Sequence, residues 1–372
     1  MTVRRATSLG LAVLAVVACR GPHPGRPAGS CTHVQAMREV RGTALCEDVW
    51  TCARPPDGRF DRVGLHRLAP CPPAGGPIAP IVLYLPGMHM NSELTIANPR
   101  QDFRLYLAAA GVHTWGLDYR THAVPADASA GDLATLKDWT ADVFLDDVLW
   151  ATRFVRGADK GPIYVAGFSH GAALAYRFAA RPDHGVAGLI VLDGAVGTAR
   201  PLAGGDAVID VGGRRLPFAE RQRLLAEVMA DPARPSPVAG YASAGEALAD
   251  ILYSAESFGG HGGLANTRDG VSDVRMLATL LDGYDRWWPR AVLEAPPAAP
   301  VTRPLPVIAF ASTNLGADWV ERVKTSAHSY GGSSAIVREL PGYGHLDVLV
   351  GHGAARDVFE PALAWLRSMI PP

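Results

Sequence analysis

Pro162-Ile163-Tyr164-Val165-Ala166-Gly167-Phe168-Ser169-His170-Gly171-Ala172 is the stretch on which the reading of this chain turns. Its first half is a short run of β-branched, aromatic and small apolar residues, which predicts a buried strand. Ala172 to Ala180 is apolar at helical spacing, so a helix follows directly. Gly167-Phe168-Ser169-His170-Gly171 must therefore turn the chain within five residues. A Cβ at either glycine would collide with neighbouring backbone, and the tight turn holds Ser169 exposed at the carboxyl edge of the sheet. The competing reading is an ordinary strand–helix turn with Ser169 as a helix cap.

Outward from this point, strands and helices alternate. Ile81–Leu85, Val112–Tyr119, Ile163–Gly167 and Val186–Leu192 read as strands, with helices over Asp102–Ala110, Leu133–Arg156 and Ala172–Ala180. A front hairpin, Glu47–Ala53 with Arg62–Ala69, turns at Asp57-Gly58. The rhythm breaks between Gly197 and Pro300, where Phe218–Ala230, Ala244–Ala255 and Val271–Tyr284 read as helices. Afterwards come strand Pro306–Ala311, helix Trp319–His328, strand Ala335–Leu340 and a last helix near Ala354–Met369. The fold class is α/β: a mixed, mostly parallel central sheet with helices on both faces and an inserted helical cap.

The chain has 372 residues, 48% hydrophobic and 19% charged, which excludes disorder and collagen-like repeats despite 40 Gly and 30 Pro. A net charge of −1 gives no electrostatic footprint for nucleic acid. No histidine–carboxylate spacing suggests a metal, and no glycine loop of nucleotide-binding type is present, so no cofactor is expected.

A serine hydroxyl needs a base to act as a nucleophile near neutral pH. Of twelve histidines, His345 in Gly342-Tyr343-Gly344-His345-Leu346-Asp347 follows the last expected strand and precedes the last helix. The glycines let that loop bend back over Ser169. Most other histidines fall in expected loops with no sheet edge to place them.

With Ser169 and His345 in this order and these positions, residues 45–370 resemble an α/β-hydrolase. His345-Leu346-Asp347-Val348, followed by Gly351 and an amphipathic helix, is similar to the acid-lipase branch. The resemblance implies a triad acid. The family usually places it just after the strand at Pro306–Ala311, where this chain has Asn314 and, later, Asp318. A second family location, the end of the preceding strand, is occupied by Asp193, which is preferred here with Asp318 as the alternative. The bland role for Asp193 is to cap a turn. The oxyanion donors implied are the backbone N–H groups of His170 and Met88, with Pro86-Gly87 standing where the family commonly has His-Gly. His261-Gly262-Gly263 resembles the oxyanion motif of another esterase branch but lies within the insertion, and is read as a loop. Glu93, His122 and Trp287-Trp288 are candidates for lining the pocket.

All five cysteines precede residue 72. Arg4 and Arg5 followed by the apolar run Leu9–Ala18 have the parts of an export signal, too short to span a bilayer. Val16-Val17-Ala18-Cys19 resembles the bacterial lipobox, with Val16 where Leu is usual, which implies lipidation at Cys19. An ordinary cleaved signal is the alternative. Export makes disulfides the natural use of Cys31, Cys46, Cys52 and Cys71, and no CxxC pair suggests zinc. Residues facing each other across the Asp57-Gly58 turn have numbers adding to about 115. Cys46–Cys71 comes nearest, leaving Cys31–Cys52.

The expected organisation is a signal at 1–18, a tether at 19–30, core at 31–196, helical cap at 197–300 and core again at 301–372. The expected function is cleavage of carboxylic esters, small or lipid, by an exported lipoprotein facing the periplasm or the cell surface. Acyltransferase, peptidase and polyester depolymerase activities use the same residues. A non-catalytic binding lipoprotein is the rival of another class. The sequence leaves oligomeric state open.

Overall fold

The computed structural model describes residues 30–71, 79–197, 205–206, 209–211, 214–253, 263–293, 301 and 303–370. The expected signal, the tether up to residue 29, Cys19, His261 and Gly262 lie outside the described residues.

The chain begins with three antiparallel strands, β1 (Cys31–Glu39), β2 (Leu45–Ala53) and β3 (Arg62–Pro70), followed by β4 (Ile81–Leu85). Then come α1 (Phe103–Ala109), β5 (His113–Asp118), α2 (Ala130–Ala134), α3 (Ala141–Ala158), β6 (Ile163–Phe168), α4 (His170–Ala179) and β7 (Gly188–Leu192). The insertion holds β8 (Gly205–Asp206), β9 (Ile209–Val211), β10 (Arg214–Leu216), α5 (Phe218–Ala230), α6 (Ala244–Tyr253), α7 (Val274–Asp282), β11 (Trp287–Trp288) and α8 (Arg290–Leu293). The chain closes with β12 (Val307–Ser312), α9 (Ala317–Gly331), β13 (Ile336–Leu340), α10 (Asp347–Val350) and α11 (Glu360–Ser368).

Nine strands form one sheet in the order β1-β2-β3-β5-β4-β6-β7-β12-β13. The pairs from β1 to β5 are antiparallel, and those from β5 through β13 are parallel. Side chains alternate across the sheet. Tyr164, Ala166, Phe168, Ile190, Leu192, Ile308 and Phe310 join the core under α1, α11 and the insertion. Ile163, Val165, Leu189, Val191, Val307 and Ala309 join the core under α3, α4 and α9. Burial on both faces explains why these strands read as unbroken apolar runs.

Three expectations are corrected. Strand β1 was not anticipated: all its residues but Gln35 are exposed, so it carries no alternation to read. The helix expected over Leu133–Arg156 is two, α2 and α3. Between them the Leu136 N–H donates to Leu133 O and the Trp139 N–H to Leu136 O, both at 3.1 Å. Tight turns bury every third residue much as a helix does, so spacing alone did not separate them; the Trp139 indole donates to Asp61 Oδ1 at 2.9 Å. The insertion is also not wholly helical, since β8 pairs with β11 and β9 with β10.

The β2–β3 register, Cys46↔Ala69 to Ala53↔Arg62, is the one the turn at Asp57-Gly58 implies. Asp57 takes φ 70°, and the Gly58 N–H donates to Asp61 Oδ2 at 2.8 Å. Cys31 is bonded to Cys52, its direct cross-strand partner, and Cys46 to Cys71, with Cα separations of 4.1 and 5.3 Å.

Beneath this front sheet His66 is buried, with Nδ1 2.9 Å from Glu47 Oε1 and Nε2 2.8 Å from Asp118 Oδ2. Burial disfavours its charge, but the two carboxylates outweigh that and raise its pKa to about 9. The folded value lies above the unfolded value of about 6.5. The stabilisation is therefore fully present below about pH 6.5 and lost as pH rises through about 9, with up to about 3 kcal/mol involved. Urea midpoints of wild type and His66→Gln are expected to converge between pH 6.5 and 9.5; a constant gap would contradict a charged His66.

Candidate active site

All the parallel strands end on one edge of the sheet, and their following residues meet there. Ser169 follows β6, Asp193 follows β7, Ser312 ends β12, His345 follows β13 and Met88 follows β4. Neighbouring backbone levels them: the Ser169 N–H donates to Leu192 O and the Asp193 N–H to Phe310 O, each at 3.0 Å.

Ser169 has φ 53° and ψ −120°, a strained backbone for a residue with a side chain. The strain is held by close packing. A Cβ on Gly167 would lie 2.5 Å from Gly171 O, and one on Gly171 would lie 2.1 Å from Leu85 O and 2.4 Å from Pro86 O. Helix α4 is thus pressed against the end of β4, which brings the loop after β4 beside Ser169. Gly171→Ala is expected to lower kcat at least about 10²-fold by displacing Ser169 and to destabilise by about 1–3 kcal/mol. Gly157→Ala, which meets nothing within 4 Å, is the control, and equal behaviour of the two would refute the argument.

The Ser169 hydroxyl donates to His345 Nε2 at 2.7 Å, and His345 Nδ1–H donates to Asp193 Oδ2 at 2.6 Å. Asp193 is fully buried and accepts three further hydrogen bonds: from Ser312 N–H at 2.8 Å, the Ser312 hydroxyl at 2.6 Å and Trp319 Nε1–H at 2.9 Å. The imidazole lies between Phe168 and Trp319, with ring centroids at 4.7 and 6.0 Å. Sequence reasoning preferred Asp193 to Asp318, and Asp193 is the carboxylate that faces His345; it did not anticipate Ser312 or Trp319, whose bonds orient that carboxylate. Asp318 is exposed in the first turn of α9, where its charge complements the helix N-terminus.

The Met88 and His170 N–H groups sit at this edge, and among the described residues neither donates to a hydrogen-bond acceptor. Met88 is half-buried on a loop shaped by His89 at φ 64° and tied back by Met90 N–H to Gly87 O at 3.0 Å. Burial, with a small contribution from Arg177, lowers the His170 imidazole to a pKa of about 4, so its ring is neutral near pH 7.

The other candidates take structural places. Trp288 is fully buried against Tyr119, Phe144, His89 and His170. His122 Nδ1 lies 2.8 Å from Asp285 Oδ1 and Nε2 3.5 Å from Glu93 Oε1. Burial opposes charge on His122, but Asp118, Asp285 and Glu93 together raise it to about 11. It therefore joins the insertion to the core as a cation. Between α7 and β4 lies a cavity lined by Tyr84, Met90, Phe103, Leu280, Tyr284 and Leu349. Ser169, Asp193 and His345 do not line it. Among the described residues no group of histidines, cysteines and carboxylates has metal-binding geometry.

No protein-family profile matches the chain, and no curated protein matches it. Solved structures do. A protein from Sulfolobus solfataricus described as a “putative lipase” is 24% identical, with TM-score 0.75 over 92% of this chain and 99% of its own. A hypothetical protein from Pseudomonas aeruginosa is 14% identical, with TM-score 0.55 over 91% of this chain and 100% of its own. A thermostable carboxyl esterase from Bacillus coagulans, in complex with glycerol, is 14% identical, with TM-score 0.50 over 88% and 100%. The fold is that of the α/β-hydrolases. Its mixed sheet brings Ser169, Asp193 and His345 together at the carboxyl edge of the parallel strands.

Proposed function

We propose that this protein is a serine hydrolase cleaving carboxylic esters through an acyl-enzyme on Ser169. The observation that carries this is the continuous line Asp193–His345–Ser169 at 2.6 and 2.7 Å, ending on a serine held in a strained turn. Ser169 Oγ attacks the ester carbonyl while His345 Nε2 takes its proton. The resulting oxyanion is received by the Met88 and His170 N–H groups. As the tetrahedral adduct collapses, the alcohol leaves with the proton from His345. Water, deprotonated by the same imidazole, then attacks the acyl-enzyme and releases the acid. Asp193 holds the imidazole in the required tautomer and stabilises the imidazolium.

The similarity to a lipase-described structure and to a carboxyl esterase supports an ester over an amide. We further propose an acid-lipase-like preference for hydrophobic acyl groups, supported by His345-Leu346-Asp347 and by the insertion's apolar helices. Anchoring through Cys19, and with it an exported, membrane-facing location, rests on the Val16–Cys19 motif alone. Fluorophosphonate labelling tests the reaction: wild type is expected to label at Ser169, and no labelling would remove the hydrolase reading. A nitrophenyl-ester series then tests the acyl group, and a peak on the shortest chains would contradict the lipase-like preference.

A further inference from the structure

The loop that carries His345 makes few bonds to its own sheet and many to the insertion. After β13 the chain turns at Gly342, φ 77°, and reaches His345 within three residues. The His345 N–H donates to Gly263 O at 3.2 Å, and the Leu346 N–H to Leu264 O at 2.6 Å. Gly344 lies so close to this segment that a Cβ would meet Gly263 O at 2.5 Å and Ala265 Cα at 2.7 Å. The Asn266 amide donates to Gly342 O at 2.8 Å, and the Ala265 N–H donates to Leu252 O in α6 at 3.0 Å.

At the centre of these contacts is a carboxylate, Asp347, fully buried two residues after the histidine. One oxygen, Oδ2, accepts from the Gly344 N–H at 2.6 Å and from the Asn266 N–H at 2.7 Å. The other, Oδ1, accepts from the Ser272 hydroxyl at 2.5 Å. Asp347 thus closes the turn that contains His345 and ties that turn to two points on the insertion. These groups are buried, so loss of the carboxylate leaves two backbone N–H groups without a partner inside the protein. The loop would relax to satisfy them, and the imidazole would move with it.

We infer that Asp347 is a positioning residue through which the insertion holds His345 in line with Ser169 and Asp193. This rests on the reading of His345 as the general base. The insertion is on this view part of the catalytic framework as well as a cover. Burial pushes the Asp347 carboxyl upward, the three hydrogen bonds pull it down, and the charge of Asp193 pushes it up again. Both bonds to Oδ2 come from backbone N–H groups, which a side-chain amide oxygen also accepts, and the Ser272 hydroxyl at Oδ1 can rotate to face an NH₂, so an amide is expected to serve.

The test compares wild type with Asp347→Ala, Asp347→Asn and Ser272→Ala. It reads kcat and KM on a nitrophenyl ester, the rate of fluorophosphonate labelling, and the far-downfield proton resonance of the His345–Asp193 hydrogen bond. Asp347→Ala is expected to lower kcat and the labelling rate about 10²-fold, with KM within about threefold, and to shift or abolish the resonance. Asp347→Asn, which keeps an oxygen for Gly344 and Asn266, is expected to recover to within about tenfold of wild type. A purely structural role would lower the melting temperature but leave kcat per folded molecule and the resonance unchanged, and that result overturns the inference. So does an Asn variant as impaired as the Ala variant. Should Asp347→Ala not fold, Ser272→Ala decides: about a fivefold loss of kcat at constant KM supports the inference, and unchanged kcat overturns it. Wild type that fails to label at Ser169 shows itself before any variant is compared, and defeats the underlying reading together with the inference.

Discussion

Asp193→Asn is expected to lower kcat by about 10⁴-fold with KM little changed. The reason is the surroundings of the carboxylate. Ser312 N–H, the Ser312 hydroxyl, Trp319 Nε1–H and His345 Nδ1–H all donate to it. A carboxylate only accepts, so all four bonds are compatible with it. An amide brings an NH₂ group that must face at least one of these donors. Turned toward Oδ1, it meets Ser312 N–H and the Trp319 indole, neither of which can accept. Turned toward Oδ2, it meets a hydroxyl that can rotate and an imidazole that can change tautomer. The second arrangement is cheaper, and it moves the imidazole proton to Nε2, where it blocks acceptance of the Ser169 proton. Asp318→Asn, at an exposed helix start, is expected to leave kcat unchanged. Steady-state kinetics of both variants with melting temperatures as a check make the comparison; an Asp193→Asn enzyme retaining a tenth of wild-type kcat would refute the assignment.

Ser169→Ala and His345→Ala are each expected to cost about 10⁶-fold in kcat, and the double variant no more than either alone. Oxygen and nitrogen are 2.7 Å apart and act on one proton in one step, so neither contributes without the other. What remains over water comes from the oxyanion donors and from binding. Long incubations with an activated ester, corrected for spontaneous hydrolysis, measure all three. A double variant whose loss equals the product of the single losses would show that the two residues act separately.

The fold was legible because its defining signals are local. Buried parallel strands read as apolar runs, and the strand–turn–helix at Gly167–Gly171 needs its glycines wherever it occurs. The hairpin register followed from one turn; Cys46–Cys71 was the pair nearest to it, and Cys31–Cys52 the pair left over. Elements whose signal was not local were missed. Strand β1 has no buried face to impose a pattern. The ribbons β8–β11 and β9–β10 are too short for one, and the first joins residues about 80 positions apart. The break between α2 and α3 was hidden because Leu136 and Trp139 are buried by tight turns.

The sequence by itself determined the sharp strand–turn–helix that exposes Ser169, the order of the parallel strands, and a histidine delivered after the last strand. Each follows from steric limits on a few consecutive residues. Which acid faces that histidine was decided only by tertiary structure, because Asp193 and His345 are 152 residues apart. Their meeting depends on β7 lying beside β12 and on Ser312 and Trp319 aiming the carboxylate. The hold of the insertion on the histidine loop was decided there too. Bonds such as Asn266 N–H to Asp347 join segments that nothing in the linear order brings together, and only the packed chain, with water excluded, makes them worth forming.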